Sequence, residues 1–337
     1  MQIKIKYVSN QPLLGDSPKV IIESDKKDIF KVDFIDQDNN EKTTKYTKSN
    51  ELVTADRQWY TNWKINIYHN DNLIFTDRLN LTNKTVFIKI DAFALGDNIA
   101  WIPYIEEFRK KHKCNVICST FHNHLFVNEY EDILFVVPNT HIENVYTQYY
   151  IGANDTLNKK YSPVKSTNVP LQRVASDTLG LKFKEVKPKI HIENKENNYI
   201  QKYVCISEFG STEMKQWKGD WQKVVNHLNS MGYNVVVISK EKTNLKNVID
   251  KSGDIPLQDR ITDILNADFF MGISSGLAWL SWAIGTKVMM ISDTTPLYHE
   301  FQSNIIRIGD ENLKEVDYKN DFITPTEDVI KSFLTKS

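Results

Sequence analysis

Val86-Phe87-Ile88-Lys89-Ile90, followed by Ala94-Leu95-Gly96-Asp97-Asn98-Ile99-Ala100-Trp101-Ile102-Pro103, is the stretch of sequence that decides the fold. The first part has the composition of a buried strand, and the residues that follow Gly96 predict a helix over about 99–111. This order places Asp97 at the carboxyl end of a parallel strand, where open α/β sheets hold their ligands. Asp97 is either the N-cap of that helix or a base that faces a cleft.

The alternation of strand and helix that starts at Val86 is repeated further along the chain. A second series begins at Tyr203, and its Val- and Ile-rich strands are typical of a parallel sheet buried on both faces. Residues 141–165, which are rich in Tyr and Asn, are expected to be irregular, and the polar residues 194–198 to be a linker.

The pattern therefore predicts an α/β protein with two Rossmann-like domains. Residues 1–84 read instead as short strands between Asn, Asp and Lys turns, which predicts a small antiparallel β domain ahead of them. The expected ranges are 1–84 for the β domain, 85–193 and 199–325 for the Rossmann-like domains, and 326–337 for a C-terminal helix.

Two strand-to-helix turns of the second series have the composition of a phosphate site. Residues 210–217 contain Gly210 and Lys215, and residues 272–277 read Gly-Ile-Ser-Ser-Gly-Leu. Small residues at the N-terminus of a helix leave backbone N–H groups free for an anion, and a lysine adds its charge. Taken alone, residues 210–217 are more simply interpreted as a generic loop and residues 272–277 can be a tight turn that needs small residues, but the pair favours a nucleotide diphosphate site.

Bulk properties exclude several partners. The chain has 337 residues and a net charge of −1, with its 42 Lys and Arg interspersed among 43 Asp and Glu, so a nucleic-acid partner is not expected. No apolar run approaches the ~20 residues of a membrane span, and the N-terminus has no signal-peptide core. Three cysteines give no disulfide framework, which suits the cytoplasm.

No metal site is predicted either. Cys114 and Cys118 flank a strand that would separate them by ~13 Å, too far to share one zinc ion. His122 and His124 have no supporting context. Asp36-Gln37-Asp38 resembles a metal-binding Asp-x-Asp pair, but it lies in a run of turn residues and is read as a surface turn.

Six stretches in order carry a family resemblance: ADRQWYTNWKINIY (55–68), ALGDNIAWIPYIEEFRKKH (94–112), VPLQRVASDTLGL (169–181), GSTEMKQWKGDWQKVV (210–225), VVVISKE (235–241) and FFMGISSGLAWLSWAIG (269–285). Over them the chain resembles the bacterial autotransporter heptosyltransferases, relatives of the lipopolysaccharide heptosyltransferases. The resemblance implies a glycosyltransferase-B fold, in which two Rossmann-like domains face each other across a cleft and the C-terminal one holds most of the donor.

The resemblance also implies roles for individual residues. Asp97 corresponds to the general base, Lys215 to the lysine that binds the donor phosphates, and Glu241 to a position that contacts donor hydroxyls. The other implied donor-binding residues are Gly210, Ser211, Thr212, Ser274, Ser275, Gly276 and Leu277, and Gly96, Asn98 and Trp101 are assigned to the acceptor side of the cleft.

The chain departs from the lipopolysaccharide enzymes in two features and from the autotransporter branch in one. Ser274-Ser275-Gly276 stands where the lipopolysaccharide enzymes have Asp-Thr-Gly, and Trp279 replaces a histidine. The autotransporter branch usually has a cysteine-rich iron-binding finger near its C-terminus, whereas residues 300–337 contain no cysteine. We therefore expect no iron and no other cofactor.

Together these features predict an inverting, metal-independent glycosyltransferase. Its expected donor is ADP-heptose, its acceptor a hydroxyl such as a serine of a bacterial surface protein, and it could form a homo-oligomer. Two alternatives stay open. One is a glycosyltransferase with another nucleotide sugar and a glycan or lipid acceptor, and the other is a catalytically idle nucleotide-sugar-binding subunit of an assembly.

Overall fold

The structure, a computed structural model, describes residues 1–8, 15–153, 160–193, 202–210 and 212–333. The predicted linker 194–198 lies outside the described residues, and the predicted domain limits remain predictions. Within the described ranges, no helix has both the length and the apolar character that a bilayer crossing requires.

The N-terminal region is antiparallel, as predicted. A three-stranded sheet in the order β1-β2-β5 and a four-stranded sheet in the order β4-β3-β6-β7 share one core of aliphatic and aromatic side chains. The predicted turn joins β3 to β4, but Asp36 itself is not at the surface: it is the buried last residue of β3, and its carboxylate pairs with Arg57 at 2.9 Å. The strands are β1 (Gln2–Lys6), β2 (Lys19–Glu23), β3 (Ile29–Asp36), β4 (Glu41–Lys48), β5 (Leu52–Thr54), β6 (Trp63–His69) and β7 (Asn72–Arg78).

The first α/β unit is a parallel sheet in the order β10-β9-β8-β11. β11 corrects the expectation that residues 141–165 are irregular: it pairs along β8 although its residues, Thr-Gln-Tyr-Tyr, include no aliphatic side chain. The helix after β8 begins at Leu95, four residues earlier than predicted. The elements are β8 (Thr85–Ile90), α1 (Leu95–His112), β9 (Asn115–Thr120), β10 (Ile133–Val136), β11 (Thr147–Tyr150) and α2 (Leu171–Thr178).

The second α/β unit is a six-stranded parallel sheet in the order β14-β13-β12-β15-β16-β17. The strand order reverses beside β12, whose neighbours are β13 and β15, so the crevice expected of such a sheet lies between the loops that follow β12 and β15. The elements are β12 (Tyr203–Ser207), α3 (Trp221–Ser230), β13 (Asn234–Val237), β14 (Ile249–Asp250), α4 (Leu257–Leu265), β15 (Phe270–Ile273), α5 (Gly276–Ile284), β16 (Val288–Ser292), β17 (Ile305–Gly309) and α6 (Thr326–Lys331).

The two α/β units meet where α1 and α5 begin. A Cβ atom added to Gly276 would lie 2.8 Å from Leu95 Cβ and 3.3 Å from the Gly96 backbone nitrogen. A Cβ atom added to Gly96 would lie 3.0 Å from the indole of Trp279. Glycine at both positions is what permits the two helix N-termini to come this close.

We expect Gly276→Ala to destabilise the protein by about 1–3 kcal/mol, because the added methyl group overpacks this contact. Helix propensity alone would favour alanine by up to ~1 kcal/mol, so it predicts the opposite sign. The measurement is the urea concentration at the midpoint of unfolding. A midpoint equal to or above that of the wild type would show that the contact between α1 and α5 is not tight.

Candidate functional site

A cavity of about 750 Å³ lies between the two α/β units. Its walls are the loops at the carboxyl ends of the strands in both parallel sheets, together with the first turns of α1 and α5. The volume is within the range of about 300–1,000 Å³ that small-ligand sites occupy. Of the residues predicted for the site, the cavity is lined by Gly96, Asp97, Trp101, Gly210, Lys215, Glu241, Ser274, Ser275, Gly276 and Leu277.

Asp97 lies in the first turn of α1 and is half-buried at the cavity wall. The N-cap position belongs to Ala94, so the alternative interpretation of Asp97 as the N-cap is wrong. Burial raises the pKa of the Asp97 carboxyl to about 6, although the positive charge of Lys215 acts in the opposite direction. A carboxylate with a pKa near neutrality has the proton affinity that a general base needs.

Asn98 does not line the cavity. Its side chain is fully buried and donates hydrogen bonds to the carbonyl oxygens of Ala92 and Ala94, both at 2.8 Å, and it accepts one from Thr120. Asn98 therefore fixes the turn that precedes α1. This assignment corrects the prediction that it faces the acceptor, because its amide is fully used inside the fold.

Trp101 lines the cavity from the second turn of α1 and is buried. Its indole N–H donates to the Leu171 carbonyl at 2.8 Å, and its ring lies so close to Gly152 that a Cβ there would be 2.6 Å from it. Gly152 also has a φ of +87°, which favours glycine. Trp101 thus shapes the wall near Asp97.

Lys215 is the last residue of a single 3-10 turn, Glu213–Lys215, in the loop after β12. Ser211 lies outside the described residues, and Thr212, the N-cap of that turn, does not line the cavity. Lys215 forms no ion pair within 4.0 Å with any carboxylate in the described ranges. Its ammonium is therefore available to an anion in the cavity.

The helix that follows this loop is not part of the site. The N-terminus of α3 is capped by the Asp220 carboxylate, which accepts a hydrogen bond from the backbone N–H of Lys223 at 2.9 Å. None of its residues lines the cavity. We predicted that a phosphate would contact the N-termini of two helices of this unit. Only one of those two helices, α5, lines the cavity.

The first turn of α5 is held by hydrogen bonds of two serines. Ser275 caps the helix by accepting a hydrogen bond from the backbone N–H of Ala278, and Ser274 donates to the Glu300 carboxylate at 2.6 Å. The N–H groups at the start of a helix have no acceptor within the helix, so Gly276 and Leu277 can offer theirs to a bound anion.

Glu300 was not predicted from the sequence. It is fully buried, and burial opposes its ionisation, but Arg307, His299 and the Ser274 hydroxyl outweigh that effect and lower its pKa to about 2. Arg307 pairs with it from β17, and Thr295 donates to the same carboxylate at 2.7 Å. An arginine in the otherwise apolar strand Ile305–Gly309 was the available signal for a buried ion pair.

Glu241 lines the cavity from the loop after β13 and is exposed. The sequence analysis missed its neighbour Arg260. Among the described residues, the buried guanidinium of Arg260 donates to backbone carbonyls, including those of Ile238 at 2.9 Å and Ile255 at 2.6 Å. Arg260 thereby joins the loop after β13 to the start of α4. Two carboxylates, Glu241 and Asp254, remain at the cavity surface as acceptors for hydroxyl groups.

The described residues do not fit a metal centre. Nowhere in those ranges do three or more His, Cys, Asp or Glu side chains form a group that could hold a metal ion. All three cysteines are buried, and burial raises the pKa of the Cys118 and Cys205 thiols, which opposes the thiolate form that binds metals.

Comparison with known proteins identifies relatives of this chain. Residues 160–300 match the model of glycosyltransferase family 9 (heptosyltransferase). The chain is 30% identical to the autotransporter heptosyltransferase BAHTCr from Citrobacter rodentium over 72% of its own length and 63% of that protein. It is 32% identical to the autotransporter heptosyltransferase Aah from Escherichia coli over 71% and 65% of the two lengths. The matches thus span less than two thirds of either relative.

A further relative has a name that bears on catalysis. The inactive autotransporter heptosyltransferase BimC from Burkholderia thailandensis is 26% identical over 75% of this chain and 63% of that protein. The predicted resemblance to the autotransporter heptosyltransferases is confirmed by these matches, and the chain is a homologue of family 9 glycosyltransferases.

Solved structures confirm the predicted glycosyltransferase-B fold. The glycosyltransferase TibC from enterotoxigenic E. coli H10407 superposes with a TM-score of 0.81 and 23% identity, over 94% of this chain and 87% of TibC. A second TibC structure, described as a complex with ADP-D-β-D-heptose, gives a TM-score of 0.79. E. coli ADP-heptose lipopolysaccharide heptosyltransferase II gives 0.55 with 9% identity, over 74% of this chain and 97% of that enzyme.

The same structures correct one expectation. TibC is described as iron-containing in both, which points to a metal cofactor in this group of proteins and contradicts the prediction of no cofactor. That prediction rested on the absence of cysteine from residues 300–337, which is no test of whether iron is bound elsewhere or through other ligands.

The electrostatics of the site predict a titration that can be measured directly. We expect carbon-13 NMR of the Asp97 carboxyl, assigned by its loss in Asp97→Asn, to give a pKa of about 6. Lys215→Ala should raise this pKa further, because a positive charge that favours the carboxylate is removed. Lys218→Ala, a change at an exposed lysine outside the cavity, is the control. A pKa near 4, or one that does not respond to Lys215→Ala, would contradict this description.

Proposed function

We propose that this chain, a homologue of the autotransporter heptosyltransferases, is an inverting glycosyltransferase that transfers heptose from ADP-heptose to a hydroxyl group of an acceptor protein. The observation that carries the proposal is the convergence of Asp97 and Lys215. They come from different α/β units, line one cavity and interact electrostatically. A base and a phosphate-binding cation in one cavity are what glycosyl transfer from a nucleotide sugar requires.

In the proposed reaction the acceptor oxygen attacks the anomeric carbon from the face opposite the diphosphate. The new carbon–oxygen bond forms as the bond to the β-phosphate oxygen breaks, and its electron pair leaves on the diphosphate. Asp97 takes the proton of the acceptor hydroxyl. The half-buried carboxylate, with its pKa of about 6, is largely ionised at neutral pH and therefore able to accept it.

The leaving diphosphate gains negative charge during this step. Lys215 supplies a positive charge, and the N-terminus of α5 supplies backbone N–H groups and the positive end of the helix dipole. The buried Glu300 fixes this turn through Ser274, so the N–H groups need no rearrangement when charge develops. Ser274 thus acts in this proposal by positioning the turn.

The proposed donor and acceptor rest on the relatives. TibC is described in a complex with ADP-D-β-D-heptose, and BAHTCr and Aah are named for autotransporters. TibC is also described as dodecameric, which supports a homo-oligomer here. We further propose a cytoplasmic location, because three buried, unpaired cysteines suit a reducing compartment.

A catalytically idle subunit is the second candidate, because BimC is named inactive. Release of ADP from ADP-heptose in the presence of an acceptor lysate distinguishes the two. Calorimetry with ADP-heptose, UDP-glucose and GDP-mannose tests the donor. Tight binding of UDP-glucose or GDP-mannose alone would overturn ADP-heptose as the donor, and ADP-heptose binding without any turnover would favour the idle subunit.

We expect Asp97→Asn to reduce kcat by about 10²–10⁴-fold, because an amide cannot accept the proton. Donor affinity should remain close to that of the wild type, since the side chain keeps its shape. Glu107→Gln, at the exposed end of the same helix, is the matched control for loss of a carboxylate on α1. Turnover of Asp97→Asn within a few-fold of wild type would refute the base.

We expect Lys215→Ala to weaken ADP binding by about ten- to a hundredfold, the loss of one hydrogen bond to a charged group. It should also lower kcat, because the diphosphate carries more charge in the transition state than in the ground state. Lys218→Ala is again the control. The affinity comes from calorimetry and the rate from ADP release; if neither changes, Lys215 is not part of the donor site.

A further inference from the structure

One segment of the second α/β unit reaches across to the first. Residues 314–320, here called the 314–320 strap, follow β17. The backbone N–H of Val316 donates to the Thr167 carbonyl at 3.0 Å, and Glu315 pairs with Lys165 at 2.9 Å. Both partners belong to the segment that precedes α2 in the first unit.

The strap is also fastened to its own unit. The backbone N–H of Asp317 donates to the Thr294 carbonyl at 2.9 Å, and the Asn320 amide donates to the Asp293 carbonyl at 2.6 Å. Both acceptors follow β16 directly. The strap is thus held from two sides, and its position is defined by hydrogen bonds to loops at the edge of the cavity.

Tyr318 is the side chain that the strap presents to Lys215. It lines the cavity, and its ring centroid lies 5.7 Å from the Lys215 ammonium, which sits over the ring face. This is within the ~6 Å over which a cation and an aromatic face attract each other. Tyr318 is 41% exposed as a residue, so it is not enclosed by the strap.

We propose that Tyr318 is a positioning residue for Lys215, which it holds over the donor diphosphate. This inference rests on the proposed function of Lys215. A lysine has a long, flexible side chain, and fixing it costs conformational entropy when the anion binds. A ring contact already present in the free protein restricts the ammonium beforehand, so less is lost on binding. An aromatic face serves this purpose better than a carboxylate, which would neutralise the charge that the diphosphate needs.

The test is a double-mutant cycle of Tyr318 and Lys215, with ADP binding measured by calorimetry. We expect Tyr318→Leu to weaken ADP binding by about three- to tenfold, the size of a partly desolvated cation–π contact. In the Lys215→Ala background the same change should have less than a twofold effect, because the partner is gone. Tyr318→Phe keeps the ring and should restore most of the affinity. Tyr46→Leu, at a 70% exposed tyrosine of β4, is the matched control.

Adenosine, which has no phosphate, separates this role from stacking on the base. Tyr318→Leu should leave its affinity unchanged if the ring acts through Lys215. Equal losses for ADP and adenosine, equal losses with Tyr318→Phe and Tyr318→Leu, or additive effects of Tyr318→Leu and Lys215→Ala would each overturn the proposal.

A second measurement needs no nucleotide. Lysines are methylated reductively with carbon-13 formaldehyde, and the Lys215 methyl signal is identified by its loss in Lys215→Ala. In the wild type and Tyr318→Phe this signal should be shifted upfield by the ring, and in Tyr318→Leu it should not. Absence of the shift overturns the positioning role. Failure of the wild type to bind ADP, with the shift present, instead counts against the proposed donor.

Discussion

The approach of two helix N-termini, α1 at Gly96 and α5 at Gly276, is the constraint on which the site depends. A Cβ added to Gly276 would lie 2.8 Å from Leu95 Cβ, and one added to Gly96 would lie 3.0 Å from the Trp279 indole, so side chains at the two glycines would force the helices apart. The contact also brings the positive ends of two helix dipoles together, which is unfavourable unless negative charge lies near them. Asp97 supplies one such charge, and a bound diphosphate would supply the other.

Much of the architecture could be predicted because its cause is local. Runs of Val and Ile separated by amphipathic segments specify buried parallel strands, and the turn at Gly96 and Asp97 identifies the edge at which ligands collect. β11 was missed because a strand of Thr, Gln and Tyr is stabilised by pairing with β8 and not by its own pattern. The start of α1 was missed for a related reason, since Asn98 fixes the preceding turn through tertiary hydrogen bonds.

The sequence likewise predicted some parts of the site and missed others. Turns rich in small residues pointed to the N-terminus of α5, and the family resemblance added the roles of Asp97 and Lys215. Glu300 and Arg307 could not be paired from the sequence. Glu300 lies in the loop between β16 and β17, Arg307 lies on β17, and the contribution of this ion pair to stability depends on its burial. Thr212 and Asn98 lie at positions that the family pattern assigns to the site, yet neither lines the cavity, so a motif position does not by itself locate a side chain. The iron of TibC shows a second limit of sequence motifs. The absence of a cysteine motif does not exclude metal binding through other ligands.

Asp97 is the point at which stability and chemistry oppose each other. A carboxyl whose pKa is raised by folding to about 6 binds more protons in the folded than in the unfolded state. Its contribution to stability therefore falls as the pH rises from about 4 to 6, and the full cost is present above that range. Lys215 reduces the cost by favouring the carboxylate. A diphosphate bound to Lys215 would offset this positive charge, so the pKa of Asp97 would rise further when the donor is in place. In the proposed reaction, this rise would make the Asp97 carboxylate a stronger base, but it would also lower the fraction of Asp97 that is ionised at neutral pH, so the two effects oppose each other.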